Sequence, residues 1–109
     1  MNVRYLVLVF LTLLVLGCSK PLPSDKLQYA GNWQSPEMQL LILADGSVGY
    51  KRLKSGISSS IQGPLKQFVG DDFLVGIGPL TTTFVVSQPP TEVDGQWVMT
   101  VDGVQLTRR

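Results

Sequence analysis

From residue 27 to the end of the chain, apolar and polar positions alternate in short runs separated by turn residues. Phe73, Val75 and Ile77 alternate with Asp72, Leu74 and Gly76; Trp97, Met99 and Val101 alternate with Gln96, Val98 and Thr100. A period of two marks a half-buried strand, because successive side chains point to opposite faces. No stretch places apolar residues at i, i+3, i+4 and i+7 over two turns with credible caps, so no helix is expected there. The pattern predicts strands at 29–35, 38–43, 47–53, 58–65, 73–77, 81–87, 96–101 and 104–107. Asp45-Gly46 and Asp102-Gly103 predict hairpins, since a type I′ turn needs positive φ at both central residues. Lys54-Ser55-Gly56 is a break, and Asp71-Asp72 and Gly78-Pro79 are further turns. Pro89-Pro90 should end the strand before it, because proline has no N–H for the ladder. The 58–65 strand is the weakest, with serines that pack little and Pro64 lacking a donor.

Seven or eight strands at this spacing predict an all-β fold. The tight connections favour a small antiparallel up-and-down barrel, with a sandwich or twisted open sheet as the alternative. The expected core is Trp33, Leu40, Ile42, Val48, Tyr50, Ile61, Phe73, Val75, Ile77, Phe84, Val86, Trp97, Met99, Val101, Val104 and Leu106. Of these, Trp33, Tyr50, Phe73 and Trp97 are candidates either for the core or for a ligand site. Leu41, Leu43, Val85 and Val98 make some strands apolar on both sides, which predicts a second covered face or a partner surface.

The first residues follow another pattern. Tyr5 to Leu16 is a run of 12 residues in which only Thr12 is polar, and Arg4 precedes it. A basic start, a short apolar core and small residues behind it form a secretory signal. A membrane-spanning helix needs about 20 apolar residues, more than this run supplies. A cleaved signal peptide is therefore expected at 1–17.

Behind it stands the only cysteine of the chain. Val15-Leu16-Gly17-Cys18 resembles the lipobox of bacterial lipoproteins, with Gly17 as the small residue before the cysteine. The resemblance implies cleavage between Gly17 and Cys18, a diacylglycerol on the Cys18 thiol and an acylated amino group, palmitate being the expected acyl chain. Several chains matter, because a single one holds a protein to a membrane only marginally. Ser19 after the cysteine implies sorting to the outer membrane, facing the periplasm. The membrane is then a partner through the Cys18 lipid. Residues 18–26, with Pro21 and Pro23, read as an extended lipidated tether at about 3 Å per residue, holding the β domain (27–109) roughly 20 Å from the lipid.

A second resemblance is carried by Tyr29-Ala30-Gly31-Asn32-Trp33 and Leu40-Leu41-Ile42-Leu43-Ala44-Asp45-Gly46-Ser47-Val48-Gly49-Tyr50. Gly-x-Trp, an apolar strand, Asp-Gly and a strand with an aromatic look like the opening of small lipocalin-like bacterial domains. The likeness implies that Gly31 lets the chain bend and Trp33 plugs one end of a barrel. A barrel of this size can be filled by its own side chains.

Little chemistry is on offer. The chain has no histidine, which removes the commonest general base and metal ligand. An acylated Cys18 leaves no thiol nucleophile, and no metal or cofactor site is expected. Asp45, Asp94 and Asp102 each precede a glycine, as turns require; Asp71-Asp72 also reads as turn chemistry. Ser58-Ser59-Ser60 has no basic partner. Without residues 1–17 the charges balance, and no basic stripe suggests nucleic acid. The local cluster Lys51, Arg52 and Lys54 is either a solvated strand end or a contact to anionic lipid or a partner. The expectation is a non-enzymatic envelope lipoprotein that acts as a protein-interaction or accessory module. The alternative is a carrier of a small apolar ligand in a lipocalin-like barrel.

Overall fold

The computed structural model describes residues 20–109. The expected signal peptide, 1–17, and the expected lipidation and sorting residues Cys18 and Ser19 lie outside the described residues. A 3₁₀ helix, Ser24–Tyr29, leads into nine strands: β1 Gly31–Gln34, β2 Met38–Ile42, β3 Ser47–Lys54, β4 Ile57–Val69, β5 Asp72–Ile77, β6 Leu80–Phe84, β7 Val86–Val93, β8 Gln96–Val101 and β9 Val104–Arg108. All pairings are antiparallel, in the order β6-β5-β4-β3-β2-β1-β9-β8-β7. The protein is all-β, a single sheet curled into a half-barrel.

There are nine strands rather than seven or eight, because the expected strand 81–87 changes partners midway. Its first part pairs with β5 and its second with β8. Val85 sits at the switch. Its N–H donates to Asp102 Oδ1 at 2.9 Å, and its carbonyl accepts from the Asp102 N–H at 2.8 Å. Pro89-Pro90 does not end the strand. β7 runs across both prolines, and its register with β8 shifts on either side of Gln88. β7 is the last strand in the sheet order, where a missing N–H and a bulge are tolerated. β6 and β7 stand at opposite ends of that order yet are separated by one residue. The curl brings the two edges together, and the Val86 N–H donates to Asp72 Oδ1 at 2.7 Å.

The weakest expected strand, 58–65, is the longest observed, at 13 residues. Ser58, Ser59 and Ser60 are held by backbone pairing with Leu53, Arg52 and Lys51, which needs no apolar side chain. The turns also sort differently from expectation. Asp102-Gly103 has positive φ at both residues (48° and 79°), as a type I′ turn demands, and so do Asp94-Gly95 and Ser55-Gly56. Asp45-Gly46 does not. Only Gly46 has positive φ, its N–H donates to the Leu43 carbonyl at 3.0 Å, and the Ser47 N–H donates to Asp45 Oδ1 at 2.9 Å. This is a three-residue loop of a turn followed by a left-handed glycine, with an aspartate side chain closing it.

Most of the expected core is buried, with corrections at the margins. Ile77 is 73% exposed, because it sits at the tip of the β5–β6 hairpin, past the layers that could cover it. Tyr50, Ile61 and Trp97 are half-buried and pack against the core from its edge. Leu22, Tyr29, Met38, Leu65 and Val98 are buried although the alternation did not single them out. Leu22 also corrects the tether. Its side chain joins the core and its N–H donates to the Ala44 carbonyl at 3.1 Å. Residues 24–26 are helical instead of extended.

Candidate functional site

The turns divide between two ends of the sheet. The β2–β3 and β4–β5 turns lie at one end with the 3₁₀ helix. The β1–β2, β3–β4 and β5–β6 connections lie at the other. The first end is capped. Tyr29 is buried, and its hydroxyl donates to the Asp71 carbonyl at 3.0 Å. Its ring meets Phe68 and Phe73 edge-on, at 5.0 and 6.2 Å between centroids. Burial, reinforced by the negative charges of Asp71 and Asp72, pushes the Tyr29 hydroxyl up to about 12. Lys26 Nζ donates to the Gly70 carbonyl at 3.1 Å and lies over the Tyr29 and Phe68 rings.

Trp33 stands beneath this cap with no exposed surface, and its indole N–H donates to the Tyr29 carbonyl at 2.9 Å. The Arg108 guanidinium lies 5.6 Å from the Trp33 ring centre and 4.9 Å from that of Trp97, and one of its N–H groups reaches toward the Gln28 carbonyl at 3.5 Å. Gly31 has φ of 151°, and a Cβ there would collide with the Arg108 side chain. Glycine is required at that position for both reasons. Arg108 is not among the residues that the sequence singled out. The available signal was alternation, which puts it on the same face as Val104 and Leu106.

Of the four aromatic candidates, Trp33 and Phe73 are fully buried. Phe73 stacks on Phe84 at 5.1 Å, and Tyr50 meets Phe84 edge-on at 4.9 Å. These rings fill the concave side of the curl. Open grooves of about 400, 270 and 410 Å³ run along the surface, and none is lined by Trp33, Phe73 or Trp97. Three carboxylates are occupied by backbone: Asp45 closes a turn, Asp72 holds Val86 and Asp102 holds Val85. The Ser47 N–H, then the Ser47 hydroxyl, lower the Asp45 carboxyl below its ordinary value. Among the described residues, no three His, Cys, Asp or Glu side chains converge.

The second end is uncovered. Ile57, Ile77 and Leu80 are 70%, 73% and 82% exposed. Strand alternation places all three on the face that carries the core further along: Ile77 follows Phe73 and Val75, Leu80 is its cross-strand partner, and Ile57 is paired with Lys54. The β3–β4 and β5–β6 hairpins therefore extend the concave face beyond its filling as an apolar flap, with Ile57 about six residues along β4, roughly 20 Å, from the Ile77–Leu80 pair. Arg52 and Lys54 share that face, with Lys51 and the exposed Leu53 on its back. Among the described residues, Arg52 Nε is buried without a hydrogen-bond partner.

Comparison of the chain with protein-family models, curated proteins and solved structures gives no match.

Proposed function

We propose that the chain is a lipid-anchored envelope lipoprotein that works as a non-enzymatic protein-interaction module. The signal-like run and the lipobox at Cys18 support the anchor. Gly17 precedes the cleavage point and Ser19 directs the product to the outer membrane, facing the periplasm. The observation that carries the interaction reading is the hairpin flap. Three large apolar side chains are presented on a concave face that also carries Arg52 and Lys54. An exposed apolar surface of this kind marks a contact site. The partner that fits is a protein with an apolar ridge and acidic flanks. Nucleic acid does not fit, since the cations form one local cluster rather than a stripe.

The carrier reading ranks second. The approach of the two sheet edges at Val86 and the plug-like Trp33 favour a lipocalin-like barrel, yet the stacked aromatics occupy the space a ligand would take. A photo-reactive residue at Leu80 in envelope preparations tests the ranking. A discrete protein adduct, lost when Ile77 becomes Ser, supports the interaction module. Absence of any adduct, together with an apolar molecule copurifying in native mass spectrometry, favours the carrier.

A further inference from the structure

Resting on the lipoprotein reading above, the distance between the lipid and the folded domain becomes the informative quantity. The sequence suggests a nine-residue tether, 18–26, but the fold starts much earlier. The Lys20 carbonyl packs so closely on the β2–β3 turn that a Cβ at Gly46 would collide with it. Two residues later the Leu22 side chain is in the core and its N–H is bonded to Ala44. Pro21 and Pro23 flank Leu22, and their fixed φ stiffens the path between the turn and the helix. Lys20 follows Cys18 by two positions, which a chain bridges with at most about 7 Å.

We propose that the protein docks end-on to the bilayer, capped end down, with no free tether. The acylated Cys18 lies at the lipid headgroups and the β2–β3 turn within a few ångströms of them. The β4–β5 turn, roofed by the same 3₁₀ helix, faces the same surface. The docking is steric. The capped end mixes Lys20, Lys26 and Arg109 with Asp25, Asp45 and Asp71, so it carries no strong net attraction to anionic lipid. β4 runs from the capped end to the β3–β4 turn over 13 residues, roughly 40 Å of extended chain. The end of the flap with Ile57 is thereby held away from the anchoring membrane, while Ile77 and Leu80, at the end of the six-residue β5, stand roughly 20 Å from the β4–β5 turn. The Ile57 end faces a partner across the periplasm, and it cannot insert into the bilayer that holds Cys18.

Acylation of Cys18 leaves no other thiol, so introduced cysteines can be labelled singly. Asp71→Cys at the capped end and Ser58→Cys at the flap both replace exposed side chains. The mature lipoprotein carrying a nitroxide at either site is reconstituted into phosphatidylcholine vesicles containing a nickel-chelating lipid. The expected result is strong relaxation of the Asp71→Cys label and at least a several-fold weaker effect at Ser58→Cys. A six-residue Gly-Ser insertion between Ser19 and Lys20 should bring the two closer to equality. Equal relaxation without the insertion, or the reverse order, overturns end-on docking. The mass of the reconstituted protein separates the two ideas: a diacylglycerol with equal relaxation sinks the orientation alone, and no lipid sinks the anchor with it.

Discussion

The two ends of the sheet use the same raw materials in opposite ways. At the capped end, Tyr29, Trp33 and Phe73 are almost fully buried, and the two cations nearby, Lys26 and Arg108, lie over aromatic faces. At the hairpin end, Ile57, Ile77 and Leu80 are open to solvent, and among the described residues Arg52 Nε is buried without a hydrogen-bond partner. The difference is coverage. A short helix supplies a roof at one end, and a strand pair continues past its neighbours at the other. Stability is concentrated where the roof is, and the surface left unsatisfied is where a partner can gain binding energy.

The sharpest way to break this contrast is to remove the capped end's largest side chain. Trp33→Ala should cost about 3–5 kcal/mol, a large part of a small domain's stability, as measured by urea unfolding. Trp97, also expected in the core, is half-buried, and Trp97→Ala should cost clearly less. If the two were equal, the cap would not be the stabilised end. Gly31→Ala comes next. Its φ of 151° and the Arg108 side chain together should cost about 1–3 kcal/mol. In a Gly31→Ala, Arg108→Ala double variant the collision is gone, so the second substitution should add less than it costs alone.

The seam gives an effect of the same order. Asp72→Ala leaves the Val86 N–H without its acceptor and should cost about 1–3 kcal/mol, with faster amide exchange confined to the start of β7. Smaller is a pH effect. The Tyr29 hydroxyl rises to about 12 in the fold from an ordinary value near 10, so the fold holds its proton more tightly than the unfolded chain does. Its contribution is complete below pH 10 and is lost as pH climbs from 10 to 12. Tyr29→Phe should flatten the fall in stability over that window relative to the parent protein. Smallest for stability are Ile77→Ser and Leu80→Ser, expected within about 0.5 kcal/mol because both side chains are exposed. Their effect should appear in partner cross-linking. A large loss of stability there would mean that the flap is part of the core.

Much of the molecule was legible from local pattern. Alternation identified the buried face of β2, β5, β8 and β9, because period two is a property of the strand alone. Asp102-Gly103 was legible as a type I′ hairpin from its residues. The loop at Asp45-Gly46 was not, because the Ser47 N–H bonded to the Asp45 side chain selects a different turn. The resemblance to a lipobox at Cys18 rests on the sequence alone, since that stretch lies outside the described residues. The cap was hidden: nothing local says that Leu22, in a proline-flanked segment, is buried, or that Arg108 reaches across Gly31 to Trp33.

By itself, then, the sequence determined the all-β class, the faces of the strands and most of the turns. These depend on neighbours in the chain, where side-chain direction and backbone φ follow from residue type. Only the tertiary structure decided how far each strand runs beyond the core, that 81–87 divides at Val85 between β5 and β8, and that the incoming chain is fastened at Lys20 and Leu22. Those outcomes depend on which distant segment is present to bury a side chain or accept a hydrogen bond, and alternation within one strand carries no information about that.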